Sequence, residues 1–392
     1  MSWEIKKLSE YCVSITDGDH QAPPKADSGI PFVTISNINS TNQFDFTNTM
    51  FVPQAYYDGL DSKRKAQKGD VLYSVVGSFG IPVYMKETVP FVFQRHIAIL
   101  RPNESILPQF LYYTMLSRDF YMMADAAALG AAQRTVSLTA LRNMKIAVPP
   151  MDVQKKIVDI LSAYDDLIEN NQKQIKLLEE AAQRLYKEWF VDLHFPGHET
   201  TPITDGIPEG WKTQTLTEIA SVIMGQSPKS EFYNQEGRGL PFHQGVGSYG
   251  TRFVIDNTYS TSYTRIAEAG SILFSVRAPV GRLNMTKNQV VIGRGLAAIN
   301  HRAGMQSYLF YLFKDRFFKD DIIGNGAIFA SISKDELLGQ KFTVPSDDLV
   351  AKFNAIVSDI DKKIAGLADQ IDLLTEARDR LLPKLMNGEI EV

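Results

Sequence analysis

The chain of 392 residues has one cysteine, Cys12, so no intrachain disulfide can form. Its six histidines are scattered, and with a single thiol they argue against a structural zinc site. No apolar run reaches the roughly 18 residues a membrane-crossing helix requires. The opening residues are too polar for a secretory signal, which points to a reducing cytoplasm. Hydrophobic residues make up 44% and charged residues 22%, which excludes a disordered or collagen-like chain. There is also no overall excess of positive charge, the formal net charge being −4. That total hides an uneven distribution: +1 over 1–150, −3 over 151–192, −3 over 193–209, +5 over 210–345 and −4 over 346–392. The acidity lies in three short segments, and the two larger blocks are neutral to basic, the surface a polyanion would meet.

What is present is one unit written twice. Trp3 to Leu8 recurs as Trp211 to Leu216, Pro31-Phe32 as Pro241-Phe242, and Gly69 to Val75 as Gly270 to Val276. Phe110 to Tyr113 matches Tyr308 to Tyr311, and Gly130 to Pro149 matches Gly326 to Pro345. The offset drifts from 208 to 196, as changes in loop length would cause. A repeat this long marks a duplicated domain pair rather than a solenoid. Each copy opens with about 140 residues of mixed α/β character. Short apolar runs bounded by Gly, Pro and Asn begin at Pro31, Val71 and Ile97 and read as strands, and Phe110 to Met123 reads as a short amphipathic helix.

The second part of each copy is a long helix, opening after Pro149-Pro150 and after Pro345, with Asp152 and Asp347 or Asp348 in the first turn to suit the helix dipole. The first apolar seam runs Val153, Ile157, Ile160, Tyr164, Ile168, Asn171, Ile175, Leu178, Ala182, Leu185, Trp189. The second runs Leu349, Phe353, Ile356, Ile360, Ile364, Leu367, Ile371, Leu374, Arg378, Leu381, Leu385 with identical steps. This is a coiled-coil-like stripe with one stutter. At ~1.5 Å per residue such a helix is roughly 57 Å long, more than one small domain can cover. The two helices are therefore expected to pack on each other, antiparallel, as a spacer. Asn171 and Arg378 interrupt the seam, either as polar core residues that fix register or at its exposed edge. The fold class is α+β: two mixed α/β domains, 1–150 and 210–345, with long helices at 151–192 and 346–392 and a Pro/Gly-rich linker at 193–209.

Catalytic patterns are missing. Gly245 to Gly250 has Gly-x-Gly-x-x-Gly spacing, but a strand-like run follows where a dinucleotide site needs a helix. Gly293 to Ala298 fails similarly, since Asn300 to Gly304 ends any helix. No Walker loop occurs, and no Asn/Asp-Pro-Pro-Tyr/Phe motif for methyl transfer to an exocyclic amine. Asp17 to His20 could pair a carboxylate with histidine, but reads more simply as an Asx turn. Polar loop residues remain. Those suited to phosphates and base edges are Thr16, Asp19, His20, Ser36, Asn37, Lys63, Arg64, Ser74, Ser78, Gln133, Arg134 and Thr135 in the first copy. In the second they are Gln226, Ser227, Lys229, His243, Gln244, Ser275, Arg277 and Arg294. Any one of them could be ordinary solvated loop; similar placement in both copies suggests a shared task. Thr251-Arg252-Phe253 and the loop from Gly225 to Gly239 lack evident first-half counterparts, so the two surfaces are expected to read different sequences.

Several segments resemble the specificity subunit of type I restriction–modification systems: Ile15 to His20 with Gly29 to Phe32, Lys68 to Ser74, Ala147 to Pro150 leading into Gln154 to Ile157, Trp189 to Glu199, and Leu381 to Ile390. The resemblance covers the whole chain. It implies two target recognition domains, each reading half of a bipartite asymmetric DNA site, with helices that set the gap and carry two methyltransferase subunits. Restriction subunits would join in the full complex. It also implies a chain without catalysis or cofactor of its own: S-adenosylmethionine would belong to the methyltransferase, ATP and Mg to the restriction partner. An adaptor that binds proteins and ignores DNA is the competing reading, and an enzyme with an unrecognised loop site a third.

Overall fold

The computed structural model describes residues 3–39, 41–47, 49–131, 133–317 and 331–392. The chain forms two compact units: Met1–Asn170 with Gln370–Val392, and Asn171–Asp369. Two long helices, Met151–Tyr186 and Asp347–Met386, each contribute residues to both units.

The first unit is built on a four-stranded antiparallel sheet in the order Cys12–Asp17, Ile97–Pro102, Val71–Ser74, Pro82–Tyr84. Its central strands are apolar on both faces because both are covered. Val71, Tyr73, Ala98 and Leu100 face one cluster with Phe110, Leu111 and Ile157, while Leu72, Ile97 and Ile99 face another with Val33 and Phe91. The period of two in a strand produces this sorting. The second unit repeats the order with Ala220–Met224, Leu296–His301, Ile272–Ser275 and Leu283–Met285. Ile272, Phe274, Ala297 and Ile299 turn to one cluster and Leu273, Leu296 and Ala298 to the other. In each unit a two-stranded pair ties the first strand to the last: Glu4–Lys7 to Lys145–Val148, and Lys212–Thr215 to Lys341–Val344.

Phe110 to Met123 forms two helices rather than one. Pro108–Leu116 stops at Ser117, whose hydroxyl then caps Arg118–Ala127 by accepting from the Phe120 N–H at 3.3 Å. The segment 193–209 is more ordered than a simple linker. Phe195 is buried against Trp211, and Ile203–Thr204 pairs with Ile207–Pro208 around Asp205-Gly206, both at positive φ, as a two-residue hairpin turn of this type requires.

Within each unit, segments of the two long helices run antiparallel. In the first, Ile157 and Leu161 share a cluster with Leu382 and Leu385, and Arg378 pairs with Asp165 at 2.7 Å. In the second, Ala182, Tyr186 and Trp189 share one with Phe353 and Val357. The inward positions follow the seam at most steps, but Leu161, Tyr186, Val357 and Leu382 are buried one residue beyond Ile160, Leu185, Ile356 and Leu381. Ile356 is 48% exposed, and Val357, fully buried, takes its place. On the first helix Leu161 is fully buried beside the half-buried Ile160. The two consecutive four-residue steps therefore come earlier in both helices, ending at Leu161 and Val357, because the inward face also packs on the globular part of its own unit. Asn171 is buried, and Arg378 is held inside by Asp165, which also accepts from the Tyr113 hydroxyl at 2.6 Å.

Each globular part is fastened to a helix by charge. Lys86 meets Asp166 and Glu169 in the first unit, and Lys287 meets Asp369 in the second. Arg252 lies buried over the Phe310 ring and reaches Asp361 at 2.6 Å and Glu179 at 3.7 Å. Thr251 to Phe253 is thus an anchor rather than an extra surface loop.

Candidate nucleic-acid interface

At one end of each four-stranded sheet, separate loops are drawn together by backbone hydrogen bonds. In the first unit Gly18 N–H donates to the Ile97 carbonyl, Asp19 N–H to Phe93, Val33 N–H to Val92, Val75 N–H to His96 and Val136 N–H to Val75. In the second, Gly225 donates to Leu296, Gln226 to Ile292, Val276 to Gly295 and Ile332 to Val276. Phe32 bridges Val92, and Phe242 pairs with Val291, both parallel. These bonds equate Thr34 with Gln244, Val76 with Arg277, and Arg95 with Arg294. The cluster in the first unit contains two adjoining concavities, one lined by Thr34, Ser36, Gln94, His96 and Gln133, the other by Asp17, Arg95, His96, Gln133, Thr135 and Ser137.

Three sequence candidates do not belong to this surface. Ser74 and Ser275 are buried, and each hydroxyl closes its own loop: Ser74 donates to the Ser78 carbonyl and accepts from Ile81 N–H, and Ser275 does the same with Pro279 and Arg282. His243 is buried, with Nδ1 2.8 Å from Ser248 Oγ and Nε2 3.1 Å from Asp256 Oδ1, a satisfied core histidine. Others reach the cluster but serve the fold. Asp19 accepts from the Tyr56 hydroxyl and pairs with Arg64 at 2.9 Å. Burial pushes the Asp19 carboxyl up, but Tyr56, the Gln21 and His20 amides and Arg64 outweigh it and hold it below its ordinary 3.8. Asn37 caps the turn begun by Thr34, accepting from its N–H at 2.8 Å, and Ser36 hydrogen-bonds Thr34. Thr16 donates to the Lys63 carbonyl. Arg134 is pinned to Asp125 over the Phe79 ring.

The rest remain at the surface. Lys63, Ser78, Gln133, Gln226, Lys229, Gln244, Arg277 and Arg294 are exposed, Thr135 is half-buried, and His20 is exposed while touching Asp17 at 3.1 Å. Ser227 donates to Gln244 Oε1 at 2.8 Å. The two glycine-rich stretches owe their glycines to close approach, not to a nucleotide. A Cβ on Gly293 would lie 2.7 Å from Gln244 Oε1, and one on Gly295 would lie 2.4 Å from the Gln244 carbonyl. Gly250 N–H meets the Phe253 carbonyl in a turn. Sequence reasoning passed over Gln94, Arg95 and His96. The repeat held the signal, since Arg294 was singled out and Arg95 occupies its place. Among the described residues no group of three or more His, Cys, Asp or Glu side chains is placed to hold a metal, and no helix is long and apolar enough to cross a membrane.

Comparison with known proteins places these features in a family. Residues 2–180 and 208–377 match the model of the type I restriction modification DNA specificity domain, one match per copy of the repeat. A putative type I restriction enzyme MjaX specificity subunit from Methanocaldococcus jannaschii is 30% identical over all of this chain and 94% of its own length. The HindI specificity subunit from Haemophilus influenzae is 24% identical over 92% of this chain and 95% of its own. The solved S subunit from M. genitalium superposes with a TM-score of 0.56 at 17% identity, covering 98% of this chain and 96% of that one, a likeness of fold.

Proposed function

The chain belongs to the family of type I restriction–modification specificity subunits, non-catalytic proteins, and from that premise we propose how its parts divide the work. The domains at 1–150 and 210–345 are the target recognition domains, each reading one half of a bipartite, asymmetric site in double-stranded DNA. The segments 151–192 and 346–392 pair as an antiparallel coiled-coil spacer that sets the unread gap and docks two methyltransferase subunits; 193–209 links the halves. Restriction subunits complete the assembly, in the cytoplasm. S-adenosylmethionine belongs to the methyltransferase and ATP with Mg to the restriction subunit.

The observation that carries this reading is the loop cluster repeated at the same end of the same sheet in both units. Exposed cationic and amide side chains gather there: Lys63, Arg95 and Gln133 in one, and Arg277, Arg294 and Lys229, the last beside Glu231 at 3.9 Å, in the other. Such groups supply phosphate and base-edge contacts. An adaptor that ignores DNA finds no counterpart among relatives described as DNA specificity subunits. The test is DNA retention by the chain in complex with its methyltransferase at rising salt. Specific duplex should be held, with log affinity falling linearly against log salt. Retention that ignores both salt and DNA sequence would overturn the proposal.

A further inference from the structure

The two loop clusters share a framework but not its filling. Arg95 and Arg294 stand at the same place, two residues before the strands Ile97–Pro102 and Leu296–His301, and both are exposed. Each backbone is tied down: Arg95 N–H donates to the Asp19 carbonyl at 3.1 Å, and Arg294 N–H to Ser227 Oγ at 3.3 Å. Neither guanidinium has an ion-pair partner among the described residues. The other arginines near the first cluster are committed: Arg64 to Asp19, Arg101 to Asp70, and Arg142 to the Ile15 carbonyl.

Around these two arginines the side chains exchange size. In the first unit the arginine is flanked by Gln94 and His96, and the residue facing them, at position 34, is a threonine. In the second it is flanked by Gly293 and Gly295, and the facing residue is Gln244. The bulk has moved from one strand to the other, and the glycines are needed because Gln244 occupies the space their Cβ atoms would take.

The exchange also changes the hydrogen-bonding face. Gln94 Nε2 donates to the Gln21 carbonyl at 3.2 Å, which commits one of its two N–H groups and leaves Oε1 as an acceptor. In Gln244 the commitment is reversed: Oε1 accepts from Ser227, whose oxygen already receives the Arg294 N–H, and Nε2 keeps its donors.

We propose that Arg95 and Arg294 are the equivalent guanine-reading residues of the two recognition domains, and that the exchanged pair Gln94 and Gln244 sets different letters beside them. An exposed arginine on a fixed backbone suits the N7 and O6 acceptors of guanine in the major groove. The Gln94 acceptor suits an amino group, on adenine N6 or cytosine N4, and the Gln244 donor suits a ring nitrogen or carbonyl. This rests on the specificity reading and adds to it the residues and the base class.

The test is motif mapping by adenine methylation, with the complete methyltransferase complex carrying wild-type, R95A, R294A, R294K or Q244T chains. The substituted side chains lie at the surface, and thermal melting of each complex checks that folding is retained. R294A should relax one guanine in one half-site, with a roughly 5- to 150-fold loss of discrimination there. R294K, lacking the planar fork, should relax the same position. R95A should relax a guanine in the other half only, and Q244T should change the letter beside the Arg294 guanine while leaving that guanine required. Uniformly weaker methylation with every letter intact, and a salt slope reduced by about one, would make the arginines phosphate contacts and overturn the inference. Relaxation of the same half-site by R95A and R294A would overturn it too. A wild-type complex that methylates no split motif would instead overturn the specificity reading itself.

Discussion

A polar residue in a loop has three fates here: it closes its own turn, it anchors a neighbour, or it faces solvent. Ser74 and Ser275 take the first, Asp19 with Arg64 the second, Arg294 the third. Residue type alone separates none of these, which is why the repeat places the side chains in equivalent loops without separating their roles. The distinction has consequences for mutation. Arg134→Ala should act through the fold, since it releases Asp125 and the Phe79 ring, and should lower the melting temperature. Arg277→Ala should leave stability within about 0.5 kcal/mol and weaken DNA binding, by about 1–3 kcal/mol if it reads a base. Equal melting temperatures for the two variants would contradict this. Asp19→Asn should cost about 1–3 kcal/mol by weakening hydrogen bonds to Tyr56 and Arg64. The Asp19 carboxyl is held below its ordinary 3.8, so its contribution is present above that value and is lost as pH falls through the lowered one. Urea midpoints of wild type and variant should therefore differ at pH 7 and draw together as pH falls below 3.8; a gap independent of pH would refute the ionic account.

At the scale of the element, strands and long helices were legible because their signals are periodic. The runs Val71–Ser74 and Ile272–Ser275 are buried at every position and apolar up to their closing serines, the mark of a sheet covered on both faces. The helical seam was legible to within one residue. It misplaced the stutter because a helix that packs on a partner helix and on its own globule needs a wider apolar stripe, and Ile160-Leu161 and Ile356-Val357 each offer two candidates for one inward position. Leu161→Ala should destabilise the first unit by about 2–5 kcal/mol, whereas Ile356→Ala should change stability by about 0.5 kcal/mol or less. The reverse order in chemical denaturation would restore the simpler seam. Lengthening both long helices by one heptad in register should change the unread gap and leave the half-site letters intact, since the proposal assigns the letters to the loop ends of the sheets. Altered letters in the methylated motif would contradict that division.

For the whole molecule, the duplication was the most informative feature of the sequence. It is visible as ordered matches across the chain and returns as the same sheet order in both units. What no linear reading could show is that each compact unit draws residues from both long helices, because that depends on which segments meet in space. A duplicated framework with exchanged side chains at Thr34, Gln94 and His96 against Gln244, Gly293 and Gly295 predicts two half-sites of different sequence. The most direct measurement is single-molecule methylome sequencing of host DNA with and without this chain. The account predicts a split, non-palindromic, adenine-methylated motif that disappears when the chain is removed, its half-site centres roughly 10 base pairs, about 34 Å, apart. A methylome unchanged by the loss of the chain, while its methyltransferase is present and active, would contradict the account.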